Sequence, residues 1–146
     1  MDAVPVAYAE FGQTLAFTER TLSAVLRAHL AERGVEPETW YALKLTAAGA
    51  PAVPRSALVR DLEGSRGLSA DAVRALLGRL ADEGLLTGDA DVVLTEEGRA
   101  VFEELRDHVL GATRRLLGQF DRADVETTVR TLKAIVRRAQ EDAAPA

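Results

Sequence analysis

The sequence predicts a mostly α-helical fold carrying one small β-hairpin, and three observations lead there. Apolar residues make up 47% of the 146 positions and aromatic residues only 5%, with Ala and Leu dominating, a composition suited to helices packed on helices. Apolar residues recur at spacings of three and four over most of the chain, the period of an amphipathic helix. Only one pair of short apolar pieces, Leu85 to Thr87 and Val92 to Leu94, is separated by a turn-forming stretch, Gly88-Asp89-Ala90-Asp91. A single domain spanning residues 1–146 is expected, since domains hold roughly 100 to 200 residues.

Taken in order, Phe11, Leu15, Leu22, Val25, Leu26 and Leu30 mark a long first helix from Tyr8 to about Arg33, with Gly34 as its terminator. Pro37 at a first helical position starts a second helix, which carries Trp40, Leu43 and Ala47 on one face and reaches about Ala48. Gly49 to Pro54 read as a linker, because neither proline there can continue a helix. A short third helix fits Ser56 to about Leu62, closed by Glu63, Gly64 and Ser65. The strongest local signal follows. Ser69 is a good N-cap, Asp71 lies in the first turn, Val73, Leu76, Leu77 and Leu80 fall on one stripe, and Gly84 stops the helix. After the hairpin, Thr95 caps a fifth helix with Glu96 and Glu97 in its first turn, and Leu105, Val109, Ala112, Leu116 and Phe120 share a face. A last helix starts near Asp121 or Asp124 and carries Val125, Val129, Leu132 and Val136.

A short helix, a turn, a capped amphipathic helix and a hairpin, in that order across about residues 54–99, make a winged helix-turn-helix. The outer helices, about residues 7–33 and 96–140, carry apolar stripes that so small a central module is unable to cover. A second copy of the chain is the expected cover, symmetric dimers being the commonest oligomers.

Three segments, Gly34 to Gly49 (GVEPETWYALKLTAAG), Leu68 to Leu86 (LSADAVRALLGRLADEGLL) and Leu94 to Leu105 (LTEEGRAVFEEL), resemble the multiple antibiotic resistance regulator (MarR) family of bacterial transcription factors. With the flanking helices, the resemblance covers nearly the whole chain. It implies a homodimer whose intertwined outer helices hold two winged helices over successive major grooves of double-stranded DNA. It also implies release from a pseudo-palindromic operator by a small apolar or aromatic ligand. Read by themselves, Trp40 and Tyr41 are core and core edge; the family's ligand pocket lies between the dimer helices and the winged helix, and the resemblance makes Phe17, His29 and Trp40 candidates to line it.

The reading helix offers Asp71, Arg74, Ala75 and Gly78 opposite its apolar stripe, with Arg79 at its edge. Arg74 is either a guanine contact, its guanidinium matching both acceptors of that base, or an exposed arginine paired with Asp71. Arg79 sits where the family has an arginine that often serves structure, which favours a salt bridge. Ser69 is a cap first and a phosphate donor second. Arg55, Arg60 and Arg66 are either contacts to the phosphate backbone or, as is usual for charges on a short surface helix, simply solvated.

Charge runs against the resemblance. The chain carries a net charge of -5, and residues 1–53, 54–99 and 100–146 contribute -2, -3 and 0. The most acidic third is therefore the one that should face phosphates, whose binding depends on Lys and Arg. Family wings are longer and carry an arginine, whereas the tip here has Asp89, Asp91 and no basic residue. An alternative follows: a winged-helix dimer with little or no DNA affinity, acting as a ligand-binding or protein-interaction module.

The sequence contains no Cys, which excludes disulfides, thiolate metal sites and cysteine nucleophiles. Its two histidines, His29 and His108, lie on different helices with no further ligand placed beside them, so no metal site is expected. No serine elbow or phosphate-cradling glycine loop is present, and neither enzymatic activity nor a cofactor is expected. Apolar runs are too short for a membrane span or a signal peptide, which makes a cytoplasmic protein the expectation.

Overall fold

The computed structural model describes residues 3–144. The element order is α1 (Val6–Ala31), α2 (Pro37–Ala48), β1 (Val53–Pro54), α3 (Arg55–Arg66), α4 (Ala70–Asp82), β2 (Leu86–Thr87), β3 (Asp91–Leu94), α5 (Glu96–Leu117) and α6 (Arg122–Ala143). The chain divides into two compact units, one ending at Val109 and one starting at Leu110.

The first unit holds the core. Val73, Leu76, Leu77 and Leu80 of α4, Leu58 and Leu62 of α3, and Ala42 and Leu43 of α2 are all buried, together with Leu30, Val92 and Leu105. The helical reading of α4 stands in every detail. Ser69 Oγ accepts the Ala72 N–H at 3.1 Å, which satisfies one of the donors that a helix start leaves without a partner. At the other end Gly84 takes a φ of 78°, and the Leu85 N–H reaches back to the Leu80 carbonyl at 2.9 Å, a Schellman closure that a side chain at position 84 would strain.

Two elements differ from expectation. Val53 and Pro54 form a strand, not a linker, and pair antiparallel with β3 (Val53 with Val92, Pro54 with Asp91). The sheet order is β1-β3-β2. A proline is compatible with this edge position because an edge strand leaves half its N–H groups unpaired. The third helix runs on past Leu62 to Arg66. Gly64 and Ser65 stay helical, Ser65 Oγ bonding back to the Asp61 carbonyl at 2.6 Å, and the left-handed terminator is Gly67 at φ 66°.

The junction of wing and α5 explains the Leu-Thr-x-x-Gly sequence. Thr95 Oγ1 accepts the Gly98 N–H at 2.9 Å and donates to the Gly84 carbonyl at 2.5 Å. Gly98 is pressed so close to the turn between α4 and β2 that a Cβ there would stand 2.0 Å from the Leu85 carbonyl oxygen.

In the second unit, α6 is capped by Asp121, whose carboxylate accepts the N–H groups of Ala123 at 2.8 Å and Asp124 at 3.2 Å. The helix starts at Arg122, and none of its residues is buried.

Candidate nucleic-acid interface

The stripe that seats α4 in the core leaves Asp71, Arg74, Ala75 and Gly78 facing outward and exposed. This face is small-surfaced around one cation, a shape that allows close approach to a groove. Arg74 pairs with Asp71 at 3.2 Å, with side-chain exposures of 81% and 91%. A pair so open to water holds Arg74 weakly, and the arginine is free to leave it. Ser69 is spent on capping, as expected.

Arg79 is placed differently. It donates to Thr39 Oγ1 at 3.3 Å and lies 3.9 Å from Glu36 and 4.0 Å from Glu83, tying α4 to the first turn of α2. These contacts accord with the salt-bridge role expected of Arg79, whose side chain stays 48% exposed.

The wing tip gains a cation that its own sequence lacks. Arg55, the first residue of α3, donates from Nε to the Asp89 carbonyl at 2.7 Å and from a terminal nitrogen to the Gly88 carbonyl at 3.2 Å. Its backbone N–H bonds to the Ala90 carbonyl at 2.8 Å. β1 is what delivers it there, and since that strand is unmarked in the sequence, so is the meeting. The tip itself needs Gly88, at φ 101°, because a Cβ would stand 2.0 Å from the Asp91 carbonyl oxygen. Among the described residues Arg60, exposed on α3, has no ion-pair partner.

The three expected pocket residues do not come together. Phe17 is 65% exposed on α1. Trp40 is a core residue, 4% exposed and stacked on Phe102 at 5.7 Å. His29 lies instead beside Glu32 and His108. A different, shallow hollow of about 20 Å³ opens between α1, α2 and α3, lined by Ser23, Leu26, Arg27, Pro37, Tyr41 and Arg66. Arg66 lies over the Tyr41 ring at 4.3 Å, and its Nε is buried with no hydrogen-bond partner. Arg66 thus belongs to this hollow and not to the phosphate-facing cations. A guanidinium nitrogen shut away from water without an acceptor suits a small anion.

The histidine cluster was invisible in the sequence because its members are 79 residues apart at the furthest contact. His108 Nε2 donates to the His29 carbonyl at 3.2 Å and lies 3.1 Å from a Glu32 carboxylate oxygen. His29 Nδ1 is 3.6 Å from the other oxygen of Glu32.

No family model matches the sequence, and no curated protein matches it. Solved structures do. A MarR family protein from Bacillus stearothermophilus aligns over 95% of this chain and 99% of its own at TM-score 0.75 and 18% identity. A MarR family protein from Mycobacterium tuberculosis, solved in complex with DNA, aligns over 91% and 98% at TM-score 0.70 and 20% identity. The same protein in complex with salicylic acid aligns over 91% and 99% at TM-score 0.66 and 20% identity. Among the described residues no helix is long and apolar enough to cross a membrane.

Proposed function

We propose, from the premise that this chain has the MarR winged-helix fold, that it is a homodimeric transcription regulator. It would bind a pseudo-palindromic operator through α4 and the Arg55-bearing wing. The observation that carries this reading is the outward, uncovered polar face of α4, since the apolar stripe of the same helix is fully used in the core. Two copies holding this face about 34 Å apart would meet successive major grooves.

Dimerisation is supported by uncovered apolar surface on each outer helix taken separately. On α1, Val6 and Tyr8 are both 72% exposed, with Leu15 at 43%, and on α6, Val129 and Val136 are 45% and 54% exposed. Small-ligand control is supported by the likeness to the Mycobacterium tuberculosis protein solved with salicylic acid. The hollow between Arg27 and Arg66, at about 20 Å³, has room for little more than a water molecule in a single chain. Release would follow if the ligand favours a spacing of the two α4 helices that no longer fits the duplex.

The experiment that tests the reading is a salt titration of binding to DNA from the protein's own upstream region. Arg55, Arg60 and Arg74 are the available cations, so log affinity should fall with log salt at a slope no steeper than about -5 for a dimer. Undetectable affinity at low salt would sink the regulator reading. It would favour a winged-helix dimer that serves as a ligand-binding or protein-interaction module, a reading that the exposed Asp89 and Asp91 support.

Arg74→Ala separates base reading from phosphate attraction. A cost of about 1 to 3 kcal/mol, with preference relaxed at one base pair, is expected in a competition assay against operator variants. Uniform weakening across all sequences would demote Arg74 to a phosphate contact.

A further inference from the structure

We propose that His29, Glu32 and His108 form a binding site for a divalent transition-metal ion, with zinc the ion best matched to the donors. The proposal is independent of whether the chain binds DNA. His29 and Glu32 stand three residues apart near the end of α1, a spacing that puts both on one face. His108 is delivered to the same face from α5. One ligand atom from each side chain lies within 4.8 Å of the other two.

The donor set is the first argument. Two imidazoles and one carboxylate bind zinc through three protein ligands and leave the fourth position for water. Bonds of 2.0 to 2.1 Å in a tetrahedron set neighbouring ligand atoms about 3.3 Å apart. Glu32 Oε2 is already 3.1 Å from His108 Nε2, and Glu32 Oε1 is 3.6 Å from His29 Nδ1. A turn of the exposed carboxylate and an approach of the two imidazoles close the set, and the two rings meet edge to face with centroids 5.8 Å apart.

The second argument is an unmet need. His29 Nδ1 is shut off from solvent and has no hydrogen-bond partner. Such a buried atom is costly to leave bare, and a metal ion supplies a partner without rebuilding the core.

The surroundings also say what opposes binding. A carbonyl accepts from His108 Nε2, so the proton sits on that nitrogen, while an Arg33 nitrogen donates to Nδ1 at 3.4 Å. Metal ligation through Nε2 moves the proton to Nδ1, where it meets the Arg33 donor. Arg33 must then turn fully to Glu104, to which it already donates at 3.0 Å. Ligating imidazoles normally donate their second N–H to an oxygen. Arg33→Gln removes a positive charge and supplies such an oxygen, so this variant should bind metal more tightly than the natural sequence.

The test uses the purified full chain stripped with a chelator, then titrated with zinc against a chromophoric competitor and, separately, with cobalt. One zinc per chain at micromolar or tighter affinity is expected, with the intense visible absorption of tetrahedral cobalt. Glu32→Gln and His108→Ala should each weaken binding by at least about tenfold, and Arg33→Gln should strengthen it by a similar factor. Zinc should raise the melting temperature of the natural protein and leave that of a His29→Ala, His108→Ala double variant unmoved. Glu32 is largely exposed, at 57%, so its variant keeps the measurement interpretable if a histidine variant fails to fold. Absence of binding at 100-fold higher zinc, or affinity unchanged in Glu32→Gln, overturns the proposal.

Discussion

Replacing Val129 and Val136 together by Asp is expected to leave a monomer that no longer holds an operator. The two residues lie seven apart on α6, one stripe of a helix that buries none of its residues. A lone amphipathic helix of this length is marginal in water, because most helical stability in proteins comes from packing its apolar face. In the proposed dimer that face is covered by a second copy, and two carboxylates placed there would each be desolvated without a partner at a cost of several kcal/mol. Sedimentation equilibrium should show the dimer constant weakened by more than about 100-fold. Operator affinity should fall by a factor of about 10² to 10⁴, the advantage lost when two linked half-site contacts become separate ones. A variant that stays dimeric would place the interface elsewhere.

Gly98→Ala should be strongly destabilising, costing about 3 kcal/mol. The added Cβ would meet backbone, 2.0 Å from the Leu85 oxygen and 2.9 Å from its carbonyl carbon. Neither atom is free to retreat. The same carbonyl accepts the Thr95 N–H at 3.1 Å, and the Leu85 N–H closes α4 on Leu80 at 2.9 Å. Relief therefore has to come from the wing or from the end of α4. Calorimetry should show a drop of roughly 10 °C. Gly78→Ala is the control, since nothing lies within 4 Å of its Cβ position. An exposed helical glycine replaced by alanine should gain about 0.5 to 1 kcal/mol. Equal effects in the two variants would refute the steric account.

What could be read in advance was local. The capping of α4 by Ser69, its four-residue apolar stripe, the stop at Gly84 and the threonine cap of α5 are each written within one or two turns of chain, where sequence spacing and spatial neighbourhood coincide. The exposed face of α4 followed, because burying one stripe determines which residues remain outside. Features made by distant segments were not legible. β1 is a two-residue strand with no alternation to detect, and it exists only because β3 offers an edge. Arg55 reached the wing tip through that strand, so a wing read as purely acidic has a guanidinium held against it. Gly64 looked like a stop and was not, since a glycine within a helix costs less than breaking the packing of Leu62. Trp40 was legible as core for the opposite reason: it is large and apolar on the buried face of α2, and it stacks on Phe102.

Arg79 joins α4 to the opening turn of α2, and that turn also supplies Pro37 to the hollow beside Tyr41 and Arg66. In a protein regulated as proposed, a ligand that shifts the opening turn of α2 would reach the groove-facing helix through this one tie. Thermodynamic reciprocity then makes the influence mutual: a small acid that loosens the duplex tenfold must itself be held tenfold less tightly whenever the duplex is present. Effector sensitivity would accordingly depend on how much operator the cell contains.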